Sequence, residues 1–425
     1  MIKKDKWIEI IKDFQEKKIP EAIERNIKIP LEIPIKRAIS IIGPRRTGKT
    51  YEMFILMRKL LSSIKKEQIL YFNSERADLG LLDYRDLTVM LETFNEVYPE
   101  SKKWLFLDEI QNIPEWEKFV RTALDDNIMV YLSGSSSKLL SKEVATSMRG
   151  RSLTYTILPF SFKEYLKVKN ITYSKLLSSK ERVKILNALR GYMEYGGYPE
   201  AVIYPEEKER ILTEIKETTI YRDVIERSKI RNIKIMKLLI DALINSKEFS
   251  VNKFYNFLKS NGMKIGKNVL YVYIQFLNDA FFVFLLRKFS YSYKIAEQSI
   301  PKVYFVDNGL LWISGIKDKG RLMENLVFVE LLRRNLDISY YKSVTKEEVD
   351  FVIKESKKVK QLIQVCYDIN GFNTKEREIK ALIKASKELN CSNIMVITWD
   401  YETEERVKNK KIKFIPLWKW LLQQI

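Results

Sequence analysis

The sequence predicts an α/β protein, with a parallel sheet and phosphate-binding loop first, then a helical module, then a second α/β domain. Three observations carry that reading. Short apolar runs alternate with helix-like patterns through the first part of the chain, as the fully buried strands of a parallel sheet do. One such run ends in Gly43-Pro44-Arg45-Arg46-Thr47-Gly48-Lys49-Thr50 and passes directly into a helical pattern. Beyond residue 229 the pattern becomes helical and basic, and past Pro301 strands and helices alternate again.

Taken in order, Trp7, Ile8, Ile11 and Phe14 recur at helical spacing and predict a lead-in helix, followed by an extended stretch punctuated by Pro30 and Pro34. Ala38–Ile42 reads as the first strand, and Tyr51 to Leu61 as the helix after the loop. Further strands are expected at Ile69–Phe72, Trp104–Leu107, Ile128–Leu132 and Leu153–Leu158, so residues 1–165 form a nucleotide-binding domain. Residues 166–228 read as a helical lid or connector, broken at Tyr195-Gly196-Gly197-Tyr198-Pro199, where glycine and proline cannot continue a helix. Residues 229–295 and 296–425 complete the division.

Composition bounds the function. A chain of 425 residues with 46% hydrophobic residues exceeds what one core organises, so more than one domain is expected. Lys and Arg number 75 against 55 Asp and Glu, and the net charge of +20 predicts attraction to polyanions. Two cysteines, Cys366 and Cys391, make no disulfide framework, and no apolar leader follows Met1, so the cytoplasm is the expected location. Val269–Leu286 is apolar but interrupted by Gln275, Asn278 and Asp279, and no membrane span is expected. The chain has no histidine, which excludes His-based catalytic triads and removes the commonest zinc ligand.

The glycine-rich loop is expected to cradle phosphates with its backbone N–H groups at a helix N-terminus. Lys49 would neutralise the outer phosphates of a nucleoside triphosphate, and the Thr50 hydroxyl would ligate Mg²⁺. Trp104–Leu107 runs into Asp108-Glu109, which places two carboxylates at the sheet edge where open α/β folds bind ligands. Asp108 is the candidate metal residue and Glu109 the candidate general base. Ser133, or Ser135 beside it in the run through Ser137, is a candidate sensor of the terminal phosphate. Arg149 and Arg151 are candidate arginine fingers, acting within the chain or on a neighbouring subunit.

Together GPRRTGKT, WLFLDE with IQNIPEWE after it, LSGSSSKLL and GRSLTYTILPFSFKEYL resemble the archaeal AAA-type (P-loop) ATPase family across about residues 25 to 230. The resemblance implies ATP as the nucleotide. It also implies that YGGYPEAV and YRDVIERSKIRN lead into a winged-helix module and then a restriction-endonuclease-like domain.

From Lys229 to Lys294 twelve Lys and Arg face three acidic residues, so the basic charge is concentrated there. Val251, Phe254, Tyr255 and Leu258 form one apolar helix face, and Leu270, Tyr273, Ile274 and Leu277 the next, with Gly262 at the turn. That is a helix-turn-helix pattern with Phe281 to Phe289 as a wing strand. Lys253, Lys259, Lys264 and Lys267 are expected on DNA phosphates, with little base reading.

In the last domain Glu324 lies in a helical pattern, Asp350 ends the strand Glu348–Val352, and Gln364-Val365-Cys366 lies on the next strand, which resembles a nuclease metal site. Gln364 and Cys366 stand where active members carry an acid and a lysine, so a degenerate nuclease is expected, with Asp368 and Lys360 as nearby substitutes. The expected whole is an ATP-hydrolysing AAA-type protein whose nucleotide state is coupled to DNA, and which forms a homo-oligomer if the arginines act in trans. The alternatives are a switch sensing a protein partner and an ATP-gated nuclease.

Overall fold

A computed structural model describes residues 2–99, 102–135, 148, 150–173, 177–356, 358–369 and 371–423. The chain divides into two compact units, Met1–Leu158 and Pro159–Ile425.

The first unit contains α1 (Lys4–Glu16), β1 (Ala38–Ile42), α2 (Lys49–Leu60), β2 (Ile69–Asn73), α3 (Tyr84–Val97), β3 (Trp104–Asp108), α4 (Trp116–Asp125), β4 (Met129–Gly134) and β5 (Ser152–Thr156). The five strands form one parallel sheet in the order β2-β3-β4-β1-β5. β1 and β3 are buried at every position, which is why their sequences are continuous apolar runs rather than alternating ones. Phe106 and Tyr131 face each other across β3 and β4 with stacked rings 4.4 Å apart. The Tyr131 hydroxyl donates to the Leu31 carbonyl at 2.5 Å, which ties the proline-punctuated lead-in to the sheet. Trp7 of α1 is fully buried and meets Phe72 of β2 edge-on at 5.4 Å.

The second unit opens with α5 (Phe162–Val168), α6 (Ser179–Tyr195), α7 (Pro199–Ile203) and α8 (Lys208–Thr218), which runs on as a π-helical turn over Thr219–Glu226. The break between α6 and α7 is enforced by Gly196, whose φ of 71° suits glycine and whose absent Cβ would lie 1.7 Å from an Asp307 carboxylate oxygen. Three helices follow, α9 (Ile233–Ile244), α10 (Val251–Ser260) and α11 (Lys267–Asp279), and then β6 (Val283–Leu286), α12 (Tyr293–Gln298) and β7 (Lys302–Phe305). β6 and β7 pair antiparallel, so the strand expected after the helix-turn-helix finds its partner past Pro301.

Beyond these come α13 (Asn308–Ile313), α14 (Lys319–Arg333), β8 (Asp337–Lys342), β9 (Glu348–Glu355), β10 (Lys358–Cys366), α15 (Phe372–Glu388), β11 (Ile394–Thr398), β12 (Thr403–Val407), β13 (Lys410–Pro416) and α16 (Leu417–Leu422). The strands make a mixed six-stranded sheet in the order β12-β13-β11-β10-β9-β8. Asp350 lies near the start of β9, not at its end, because the strand continues to Glu355. No helix among the described residues is long and apolar enough to cross a membrane.

Asp307, 5% exposed, accepts N–H bonds from Gly197 and Gly309, each at 2.8 Å. Burial raises its carboxyl from 3.8 to about 7, against the lowering effect of those bonds. A carboxyl raised on folding contributes stability that is fully present below its unfolded value and lost as pH climbs through the folded one. Thermal unfolding should therefore show stability falling between pH 4 and 7, by on the order of 3 kcal/mol from this group, and Asp307→Asn should make that slope shallower.

Candidate nucleotide-binding site

The site is assembled where β1 and β3 end. Gly43 leaves β1 with φ 150°, and a Cβ there would sit 2.1 Å from the Ile157 carbonyl oxygen, so only glycine fits. The loop then turns through Arg46 at φ 65° and Gly48 at φ 91° before α2 begins at Lys49. Loop contacts hold this shape: the Thr47 hydroxyl and the Lys49 ammonium each donate to the Pro44 carbonyl at 2.9 Å. From the lead-in, the Arg25 guanidinium donates to Thr47 O at 2.9 Å and Leu158 O at 2.6 Å. Arg45 lies 3.6 Å from Glu75, and Arg46 is exposed.

Asp108 at the end of β3 is 0% exposed. Its Oδ2 accepts from the Thr50 hydroxyl at 2.8 Å, Tyr71 OH at 2.9 Å and Asn73 Nδ2 at 3.3 Å, while Oδ1 accepts from the Ser133 hydroxyl. Burial pushes the Asp108 carboxyl upward and the charge of Glu109 adds to this, whereas the hydroxyl donors pull it down. Burial, and then the Asp108 charge, raise the Tyr71 phenol, so it stays a donor.

Glu109 follows in a left-handed conformation, φ 52°. Its carboxylate accepts from Gln111 Nε2 at 2.5 Å and from the Ser135 N–H at 3.2 Å, and lies 3.7 Å from the Lys49 ammonium. Lys49, Thr50, Asp108 and Glu109 are thus brought to one point.

The donor chemistry fits a metal–nucleotide group. Thr50 and Asp108 offer oxygens of the kind a hard divalent cation takes. Gly48 caps α2, and a Cβ built there would approach only Arg25, at 3.9 Å, so the backbone at the helix N-terminus is open to a phosphate.

Residues 35–166 match the family described as an AAA domain, and two domains of unknown function match residues 186–319 and 319–420. An uncharacterised protein of Methanocaldococcus jannaschii is 41% identical, over 97% of this chain and 94% of its own length. This chain belongs to that protein's family, and its first unit carries an AAA domain. An uncharacterised protein of Haemophilus influenzae is 30% identical, over 90% of this chain and 94% of its own length. Among solved structures, the ORC1 protein of Aeropyrum pernix in complex with DNA overlaps 72% of this chain and 89% of its own, with 14% identity and a TM-score of 0.34. AMPPCP-bound DnaA from Aquifex aeolicus overlaps 64% and 86%, with 13% identity and a TM-score of 0.25.

Ser133 lies at the end of β4, where its hydroxyl donates to Asp108 and accepts the Glu109 N–H at 3.0 Å. Both of its bonding directions are thereby directed at the acidic pair of the AAA domain. Arg149, Ser136 and Ser137 lie outside the described residues. Arg151 precedes β5 at the edge where β1 begins, and its guanidinium pairs with Asp125 at 2.6 Å. The loop is a full strand away, roughly 16 Å at about 3.3 Å per residue, which no arginine side chain spans, so Arg151 does not act on its own chain's loop.

The apolar faces expected of these two helices are the ones that pack inward: Val251, Phe254 and Leu258 of α10 and Leu270, Tyr273, Ile274 and Leu277 of α11 are buried, and Tyr255 is half-buried. Lys253, Lys259 and Lys264 are exposed and Lys267 half-exposed, and none pairs with a carboxylate among the described residues.

In the C-terminal sheet Gln364 accepts the Asp350 N–H at 3.3 Å and donates to Glu378 at 2.6 Å. Lys360 cannot substitute for a catalytic lysine, because it is exposed and pairs with Glu355 at the far end of the hairpin. Cys366 is a buried thiol pushed up to about 12 by burial, and its Sγ lies 3.3 Å from Asp368 O.

Four side chains that bond within the site escaped the sequence. Asn73 was within reach, since it ends a buried strand in register with Asp108. Arg25, Tyr71 and Gln111 carry no signal of spacing. Ser133→Ala would remove the hydroxyl that accepts the Glu109 N–H and donates to buried Asp108. Denaturant unfolding should show the first unit weakened by about 1–3 kcal/mol.

Proposed function

We propose that this protein hydrolyses ATP at its phosphate loop and binds DNA through the basic helix-turn-helix module, with nucleotide state coupled to DNA grip. The observation that carries the hydrolytic reading is the convergence of Glu109 on Lys49 beside the Thr50–Asp108 pair. A bare nucleotide clamp needs no second carboxylate there. In this reading the loop amides from Gly43 to Thr50, together with Lys49, bind the phosphates, and Thr50 and Asp108 hold Mg²⁺. Bound Mg²⁺ would supply charge neutralisation at the phosphates. Glu109 accepts a proton from the attacking water, and Gln111 and the Ser135 N–H orient its carboxylate. Ser133 positions Asp108 and Glu109 from behind. Arg149 and Arg151 are assigned to a neighbouring subunit's site in a homo-oligomer.

DNA is favoured as partner by the concentration of charge and by its setting. Lys253, Lys259, Lys264 and Lys267, without a carboxylate partner among the described residues, lie on or beside α10 and α11, and the β6–β7 connection carries Lys288 and Lys294 with Tyr291 and Tyr293, which are 75% and 80% exposed. Phosphate contacts dominate such a surface, so affinity should fall steeply with salt. The exposed face of α11 offers Asn268, Val269, Tyr271, Val272 and Gln275, a poor set for reading base edges. That same apolar exposure, with Phe257 of α10, favours a second reading in which the module docks a protein partner and the ATPase acts as a switch.

Two substitutions separate binding from chemistry. Lys49→Ala should abolish nucleotide binding, while Glu109→Gln should retain binding and lower kcat by roughly 10²–10⁴; unchanged turnover in both would overturn the assignment. For the partner, ATP hydrolysis and DNA binding are measured at two salt concentrations with Lys49→Ala as blank. Stimulation by DNA that fades with salt is the expected result, and unchanged turnover without DNA binding at low salt would favour the protein-docking switch.

A further inference from the structure

The second unit contains a carboxylate cluster whose occupant came to light only in three dimensions. Lys302, the first residue of β7, is 5% exposed, and its ammonium lies 3.0 Å from Glu324 of α14, 2.8 Å from Glu348 and 2.8 Å from Asp350 of β9. The Tyr304 hydroxyl donates to the same Glu324 oxygen at 2.6 Å. The second Asp350 oxygen accepts the Val365 N–H at 2.9 Å, and the second Glu348 oxygen lies 3.2 Å from Lys342. Three acids from two elements thus converge on one nitrogen, and an ammonium has three N–H donors to give them.

We infer that this is a cation site permanently filled by the chain's own Lys302, which makes it a structural clasp closed to divalent metal rather than a metal-dependent nuclease centre.

Three observations support the assignment. Burial acts to lower the Lys302 ammonium, but the charges of Asp350, Glu324 and Glu348 outweigh it and hold the group charged. Burial, and then the neighbouring Glu324, push Asp350 up, so without a cation in its midst the cluster would not stay ionised. Among the described residues, no group of three or more Asp, Glu, Cys or His is gathered as a metal ion needs, and here the acids stand at ammonium distances. A divalent metal such as Mg²⁺ requires oxygens drawn in to about 2.1 Å, a volume that the Lys302 nitrogen fills.

The clasp also has a mechanical role. β7 belongs to the two-stranded sheet, and the clasp fastens that sheet to β9 and α14. The chain after β6 is fastened independently: the Phe289 N–H donates to Tyr340 O at 2.6 Å and the Tyr340 N–H to Arg287 O at 3.1 Å. Loss of the ammonium would leave buried Asp350, with half-buried Glu324 and Glu348 beside it, without their cation, a defect of the costly kind.

The test uses the full chain without nucleotide. Mn²⁺ is titrated into the native protein and into Asp350→Asn, with free Mn²⁺ followed by paramagnetic resonance. The inference expects identical isotherms, because any Mn²⁺ held at Thr50 and Asp108 is common to both; a saturable site in the native protein that Asp350→Asn removes would overturn it. This arm leaves Lys302 itself untouched. In a second arm Lys302→Ala should melt about 10 °C lower, and ammonium or methylammonium chloride should recover much of that loss where tetramethylammonium chloride at equal concentration does not. An unchanged melting point, or equal recovery by all three salts, would show that the site is not built around an ammonium.

Discussion

A buried negative charge at Asp108 is the constraint around which the first unit is organised. A carboxylate removed from water is costly unless hydrogen bonds surround it, and here four donors arrive from three separate segments: Thr50 on α2, Tyr71 and Asn73 on β2, and Ser133 at the end of β4. The phosphate loop is therefore not an independent motif resting on the sheet. Its last residue is bonded to the middle of the sheet edge, and the same serine that satisfies Asp108 also receives the Glu109 N–H. The left-handed backbone at Glu109 follows from this arrangement, because the chain must turn sharply to bring its carboxylate toward Lys49.

How much of this was legible depended on whether the determinant was local. Ala38–Ile42 was read to the residue, because a central parallel strand is apolar at every position and a glycine-rich loop marks its end. The other strands of the first sheet were placed to within one or two residues, and the apolar faces of α10 and α11 were recovered because 3.6-residue periodicity survives in any packing. Asp108 and Glu109 were legible for the same reason, as polar residues terminating an apolar run. What was not legible depends on chain crossing long distances. Arg25 reaches Thr47 and Leu158 from a segment with no periodic structure, and Lys302 meets Asp350 from 48 residues away. An isolated arginine or lysine in a Lys-rich sequence carries no mark of such a partner. The acids Glu324 and Asp350 were found, but their partner was sought among metals because the sequence shows acids by type and cations only in bulk.

Charge is used differently in the two units. In the first, the cations that matter lie close to carboxylates or carbonyl oxygens: Lys49 at Pro44 and Glu109, and Arg25 at two backbone oxygens. In the second, the lysines of α10 and α11 have no acidic partners among the described residues, and Lys302 is buried among three acids. Nearly half of the excess positive charge thus lies between Lys229 and Lys294, while the interior charges serve cohesion.

The strand order of the first unit has a consequence for its synthesis. β1, which carries the phosphate loop, is flanked by β4 and β5, so its partners lie about 90 and 115 residues further along the chain. At roughly 5–20 residues per second on the ribosome, β1 waits about 5–20 s before any neighbour emerges, exposing an apolar strand with both edges unsatisfied. Such a segment is a natural client for a chaperone, and it favours keeping β1 as short as five residues.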